Sequence, residues 1–354
     1  RRQGQMGIRD SCSADSSCQR RFSRCDLPLI ESAITNSSWS QRRNSSSDGP
    51  SLTGGAPIQP SSTRRRWHPQ PTSASAAHGR TMTELVVIKF GGGLITDKGR
   101  LCTSKTDVIS GLCEAVSEML DLGFRVIVVH GAGSYGHLKA KAWSLAEGRM
   151  ESGWSPEHTM ALSSQDEAIQ SVRADMDLLN SIVVDGLRSF GIDTYSLRPR
   201  DWATGTGPNF SGDTSHFSHG DGRVAVSFGD VVKVEGKLEF GILSGDDIVY
   251  RVALELDADH VLFAMGGAPG LMSSPPHESG SELVRTWSQG DSLNGQHESE
   301  IDVTGGIELK LNRAATIAED VSNVWLIDGE QPERLVAAVQ GLSPIGTRVL
   351  GTTH

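Results

Sequence analysis

The chain has 354 residues, 37% apolar and 21% charged, with a formal net charge of −10. That balance is ordinary for a globular protein, the length suits one large domain or two small ones, and no apolar run approaches the roughly 20 residues of a membrane-spanning helix. The charge is unevenly placed: residues 1–82 hold twelve Arg, no Lys and five acidic residues, a surplus of seven positive charges, so the remainder carries −17. A body that acidic argues against nucleic acid as a partner. An anionic ligand must be held there by a few local cations against the overall field. Cys12, Cys18, Cys25, Cys102 and Cys113 show neither zinc-site nor disulfide-framework spacing, so a reducing compartment, the cytoplasm, is expected.

Residues 1–82 are rich in Ser, Arg, Pro and Gly and are expected to be a disordered N-terminal extension, because they bury too little apolar surface to offset ordering entropy. Three readings fit them: a transit peptide directing organellar import, a regulatory tail, or sequence upstream of a start at Met82. The last is preferred, since position 1 is not Met and Met82 directly precedes the first strand.

Leu85-Val86-Val87-Ile88-Lys89-Phe90 reads as a buried strand and runs into Gly91-Gly92-Gly93, then Leu94-Ile95-Thr96-Asp97-Lys98. A charge in a central strand needs a partner: either Lys89 meets phosphate at the carboxyl edge of the sheet, or its stem snorkels past the strand end. Apolar residues at helical spacing predict an amphipathic helix over 105–122, stopped by Gly123. A strand over 125–129 follows, which makes a β-α-β unit with parallel strands. It leads into His130-Gly131-Ala132-Gly133-Ser134-Tyr135-Gly136-His137. These glycines let backbone N–H groups approach an anion. A helix starting near His137 would aim its positive end at the same anion, and the imidazole can donate a hydrogen bond. An ordinary glycine-rich turn ending in a surface histidine is the competing reading. Both loops fall at the carboxyl ends of neighbouring strands, where open α/β sheets place ligands.

Further along, a helix is predicted over 158–190, with Val172 and Met176 in its buried stripe, and a strand over 192–197. Residues 199–222 read as loop, and strands at 224–228 and 231–234 are split by Gly229-Asp230. Ser244 is placed to cap a helix, with Asp247 completing an acidic capping box. A strand at 261–264 opens into Met265-Gly266-Gly267-Ala268, and 273–300 reads as a polar surface insertion. Asp302-Val303-Thr304-Gly305-Gly306 precedes a helix carrying Lys310; a strand, a helix and a strand at 323–327, 331–339 and 347–350 close the chain. Alternating strands and helices define an α/β fold.

Lys89, Lys98 and Lys310 stand beside glycines or helix starts, with no Walker A loop, protein-kinase signature or dinucleotide fingerprint. Phosphoryl transfer needs two anions held in line and their charge offset by cations and N–H donors, and this set supplies those parts. Lys89-Phe90-Gly91-Gly92-Gly93, the 130–137 stretch, Ser244-Gly245-Asp246, and 302–306 with Lys310 occur in the order found in the amino-acid kinase superfamily, which the chain resembles over residues 84–351. The ending Gly133-Ser134-Tyr135-Gly136-His137, together with Ile95-Thr96-Asp97-Lys98, is similar to its isopentenyl phosphate kinase family.

That resemblance implies a three-layer α/β/α sandwich with a mainly parallel sheet, usually a homodimer, moving phosphate from ATP to isopentenyl phosphate. It implies that Lys89, Phe90, Gly91, Gly92, Gly93, Gly133, Gly306 and Lys310 bind ATP, and that Ala132, His137 and Gly229 touch the substrate. Lys98 would lie near the transferred phosphate, and His137, Lys98, Lys89 and Lys310 would carry catalysis. The body would divide into a substrate-binding part, 83–240, and a nucleotide-binding part, 241–354. No dedicated metal ligand set is evident, so Mg²⁺ would arrive with ATP. A phosphate monoester is largely ionised at neutral pH, so His137 is expected to orient and donate rather than to remove a proton. The prenyl tail needs an apolar pocket, for which the 158–190 helix and Trp143 or Trp154 are candidates. Where relatives carry an acidic turn after the 261–264 strand, this chain has Met265-Gly266-Gly267-Ala268. Two alternatives remain open: a kinase of the same fold acting on a carboxylate, carbamate or phosphonate, and a catalytically silent nucleotide-sensing homologue.

Overall fold

The computed structural model describes residues 83–218, 221–291 and 306–352; the disorder expected of 1–82 and the 302–305 part of the glycine motif lie outside them. In chain order the elements are β1 (Leu85–Phe90), the turn α1 (Gly92–Ile95), α2 (Thr106–Asp121), β2 (Arg125–His130), α3 (Gly133–Ala142), α4 (Gln165–Ser189), β3 (Thr194–Leu197), the turn α5 (Pro199–Trp202), β4 (Ala203–Thr204) and β5 (Ser211–Gly212). Then come β6 (Val224–Phe228), β7 (Asp230–Lys233), β8 (Phe240–Leu243), α6 (Gly245–Glu255), β9 (His260–Met265), β10 (Thr286–Ser288), α7 (Gly306–Ile317), β11 (Asn323–Asp328), α8 (Glu333–Val339) and β12 (Thr347–Leu350).

Eight strands form one sheet in the order β10-β12-β11-β9-β1-β2-β6-β3. β12 is antiparallel to β11 and carries β10 parallel to itself, which reverses that edge. β1 sits inside, parallel to β2 on one side and β9 on the other. Because it is covered on both faces it is buried throughout, which is why its sequence is a continuous apolar run rather than an alternation. Successive residues still point to opposite faces. Val86, Ile88 and Phe90 join one core with α2, α4 and α8; Leu85 and Val87 join a second with α6 and α7. By the same parity Lys89 points to the α6/α7 face. The expected α/β/α sandwich with a mainly parallel sheet is what forms.

Four expectations need correction. α4 starts at Gln165, not 158: Met160 and Ala161 have φ of +50° and +61°, and Ser164 caps the helix by accepting the Glu167 N–H. Residues 199–222 are not all loop, since α5, β4 and β5 lie there and build a small second sheet in the order β5-β4-β7-β8. Two-residue strands carry no readable alternation. The 273–300 stretch is not wholly a surface insertion: Thr286–Ser288 pairs with β12 at the sheet edge, and Trp287 is buried. Asp247 does not complete a capping box; Ser244 accepts the Asp246 N–H at 3.1 Å, while Asp247 turns to Arg313. The stop at Gly123 holds, with a φ of +94°, and α4 likewise ends just before a glycine, Gly191, at +78°.

Leu112 of α2 is fully buried against the sheet. Leu112→Ala is expected to lower the unfolding free energy by about 2–5 kcal/mol, read from the midpoint of urea denaturation with an unchanged slope.

Candidate active site

β1 and β2 pair Lys89 with Val129 and Phe90 with His130, so their glycine loops leave the sheet side by side. The two loops interlock. A Cβ at Gly92 would fall 2.3 Å from the Gly133 nitrogen, one at Gly131 would fall 2.6 Å from the Gly92 nitrogen, and one at Gly133 would fall 2.0 Å from Thr96 Oγ1. Gly133 also has a φ of +49°, a region that disfavours a side chain. Thr96 fastens the pair: its hydroxyl donates to the Gly92 carbonyl at 2.8 Å and accepts the Ser134 N–H at 3.0 Å. α3 therefore starts at Gly133, four residues before the expected start, and His137 stands in its second turn.

A cavity of about 440 Å³ opens at this sheet edge. It is lined by Lys89, Lys98, Lys310 and His137, together with Ala132, Gly229 and the glycines 91–93, 133 and 306. Phe90 is absent from the lining: its side chain is fully buried on the α2/α4 face, and its carbonyl accepts the Gly131 N–H. Lys98 is exposed and its stem lies across Gly93, where an added Cβ would meet Lys98 Cε at 2.1 Å. α3, α6 and α7 all begin against the cavity, at Gly133, Gly245 and Gly306, and so direct three positive dipole ends toward it.

The buried centre is a three-group cluster. Lys89 Nζ lies 2.5 Å from Asp246 Oδ2, and Lys310 Nζ lies 3.0 Å from Asp246 Oδ1. Lys310 also stands over the Phe263 ring, 5.4 Å from its centroid. Burial alone would push the Asp246 carboxyl up, but the Lys310 and Lys89 ammonium groups outweigh it and hold the group at about 2. Lys89 has the opposite outcome. Burial lowers it to about 8; Asp246 opposes the shift, while neighbouring Lys310 adds to it. One carboxylate shared between two ammonium groups explains both results. The next residue repeats the link between helices, with Arg313 Nε 2.7 Å from Asp247 Oδ1.

Asp246 belongs to the Ser244-Gly245-Asp246 motif, but sequence reasoning gives it no role in the site. Its signal was two acids at a helix start directly after a buried strand, facing lysines that otherwise lacked an anion. Among the described residues no three His, Cys, Asp or Glu side chains gather in a way that could hold a metal. His130, at the head of the octapeptide, lies beneath the loop: burial pushes it down to about 4, so it is neutral, and its Nε2 is 3.4 Å from Asn180 Oδ1.

One side of the cavity is apolar, with Val172 and Met176 of α4, Val231 of β7 and Ile242 of β8. Trp143 and Trp154 are not part of it. They pack edge to face with centroids 6.1 Å apart, and Trp143 donates its indole N–H to the Thr159 carbonyl. The opposite side, after β9, is lined by Met265, Gly266, Gly267 and Ala268. Met272, Pro275 and Pro276 join them, so part of the expected surface insertion faces the cavity.

A family model for the amino acid kinase family matches residues 84–328. The chain belongs to that family. Among amino acid kinases, an isopentenyl phosphate kinase of Thermoplasma acidophilum is 29% identical over 253 residues, covering 71% of this chain and 94% of that protein. One of Methanocaldococcus jannaschii is 26% identical over 265 residues, covering 73% and 95%. A crystal structure of an isopentenyl phosphate kinase substrate complex superposes with a TM-score of 0.60 at 26% identity, covering 75% of this chain and 99% of the other.

The Lys89 shift sets a pH dependence of stability. Between pH 10.5 and about 8 the unfolded chain holds a proton at this site that the folded chain releases, so the contribution of Lys89 to stability rises with pH across that window. Wild type minus Lys89→Met, measured by urea denaturation, is expected to grow in favour of wild type from pH 8 upward and to stay flat below it.

Proposed function

We propose that this amino acid kinase transfers the γ-phosphoryl group of ATP to isopentenyl phosphate, giving ADP and isopentenyl diphosphate. The observation that carries the reading is the union of two chemistries in one cavity. Lys89, Lys98, Lys310 and His137 line one part of it, and Val172, Met176, Val231 and Ile242 another. An acceptor with an anionic head and a short apolar tail matches that pairing. Relatives named isopentenyl phosphate kinase align over nearly their whole length, which supports the same choice.

In this reading the triphosphate lies over Gly91–Gly93 and Gly133, where helix starts and side-chain-free backbone favour anions; the Gly91 N–H itself is donated to the Ala264 carbonyl, so Gly91 contributes close approach only. Lys89 and Lys310 offset the charge that develops on the transferred group, and Lys98 reaches it from the loop after α1. His137 donates to the acceptor phosphate and aims one of its oxygens at the γ-phosphorus. The acceptor is already ionised, so positioning takes the place of proton removal. Gly229 and Ala132 leave room for the acceptor head beside His137. Both Asp246 oxygens are engaged by lysines, so Mg²⁺ would be held by the phosphates and water, and would supply further charge neutralisation when bound.

In this reading most of the acceptor side comes from the 83–240 part, with Ile242 just past that boundary, while the nucleotide side draws on both parts: Lys89, Gly91–Gly93 and Gly133 from the first, Gly306 and Lys310 from the second. A homodimer in the cytoplasm completes the reading. The family resemblance supports the first. For the second, the cysteine spacing fits no disulfide framework, as expected of a reducing compartment.

The test is ADP release by the purified chain with ATP and a panel of acceptors. Release with isopentenyl phosphate is expected; release only with carbamate or a carboxylate, or none with any acceptor, contradicts the reading. His137→Ala and Lys310→Ala are each expected to lower kcat by about 10²–10³-fold. Since Lys89 loses its charge above about 8, kcat/KM for ATP is expected to fall as pH rises through that value.

A further inference from the structure

α4 gives two consecutive residues per turn to the acceptor side. Val172 and Met176 line the cavity, and the residue after each is bonded to a neighbouring element. Arg173 donates from Nε at 3.0 Å and from its terminal nitrogen at 2.8 Å to the Val231 carbonyl of β7. Asp177 accepts Arg200 of α5 through both oxygens at 2.5 Å. The same guanidinium reaches Asp230 of β7 at 2.8 Å. Asp230 is fully buried at its side chain, and burial raises its carboxyl while Arg200 opposes that rise.

Two arginines thus tie α4 to β7 at the wall that Val172, Met176 and Val231 form, and Asp230 itself lines the cavity between Gly229 and Val231. Apolar contact is non-directional and allows the two elements to slide. A forked guanidinium bonded to two carboxylates fixes their spacing. Breaking this pair would leave the buried Asp230 with the Val231 N–H at 2.8 Å and the charge of Arg173 but without the ion pair it makes directly, so the wall would shift or hydrate. α5, a single turn, is held by the same bonds together with the packing of Trp202 on Phe210 and Phe217.

We propose that Arg200 is a specificity-determining positioning residue, which by tying α4 to β7 fixes the depth of the cavity's apolar side and limits the length of the acceptor's apolar tail. The proposal rests on the isopentenyl phosphate reading. Arg200 itself is 13% exposed at its side chain and is not among the groups assigned to touch either phosphate.

The experiment compares kcat/KM for isopentenyl phosphate and for its longer homologue geranyl phosphate in wild type, Arg200→Met, Arg200→Lys and Asp177→Asn. In Arg200→Met the geranyl-to-isopentenyl ratio is expected to rise about tenfold or more, with KM for ATP within about twofold of wild type. Asp177 is half-buried and Asn keeps its shape, so Asp177→Asn retains the fold and is expected to shift the ratio the same way. It decides the matter if Arg200→Met does not fold. Arg200→Lys, which keeps the charge, is expected to restore part of the wild-type ratio. An unchanged ratio in the folded variants, or a matching rise in KM for ATP, overturns the clamp while leaving the function standing. A wild-type chain that phosphorylates neither acceptor overturns both.

Discussion

One carboxylate held between two ammonium groups, at the edge of an otherwise apolar sheet, is the interaction on which the rest of the structure depends. Asp246 joins Lys89 of the inner strand to Lys310 of α7, and so fixes β1, α6 and α7 around a single point. The cluster is one anion short of neutrality. Asp246 sees two cations and ionises readily, whereas Lys89 sees one anion and one cation and is penalised by burial. A phosphate oxygen would supply the missing charge. In a body that carries −17 outside its first 82 residues, this local excess of positive charge would attract an anionic ligand.

The glycines have a structural role that precedes any binding role. Gly92, Gly131 and Gly133 are where the β1 and β2 loops pass through one another's van der Waals space, and side chains there would separate the strands' carboxyl edges. The starts of α3 and α6 both line the cavity that opens there. Anion affinity would follow from the interlock, because glycine backbone free of side chains lines the same opening.

Much of this was legible beforehand, and the failures have physical reasons. β1, α2, β2 and the closing elements were readable because apolar periodicity and glycine stops agree. Lys89, Lys98, Lys310, His137, Ala132, Gly229 and all the glycines of the expected site line one cavity. Phe90 does not, and strand parity already held that answer: it shares a face with Val86 and Ile88, opposite Lys89. Asp246 was hidden by its second role at a helix start. The acceptor wall was only half visible, since Val172 and Met176 follow from helical spacing, but Val231 and Ile242 belong to the small sheet. Trp143 and Trp154 gave no positional signal, because aromatic residues serve cores more often than sites. The two-residue strands and the cavity-facing Met272 to Pro276 lay in polar stretches where local sequence decides little.

The central claim is that one cavity holds two phosphates face to face, with Lys89 and Lys310 on the donor and His137 on the acceptor. Its most direct test is a crystal structure with a non-hydrolysable ATP analogue and isopentenyl phosphate bound together. The account predicts the terminal phosphate of the analogue within hydrogen-bond reach of the Lys89 and Lys310 ammonium groups, and the acceptor phosphate against the His137 ring. Phosphates bound in separate cavities, or a His137 ring turned away from the acceptor, would contradict it.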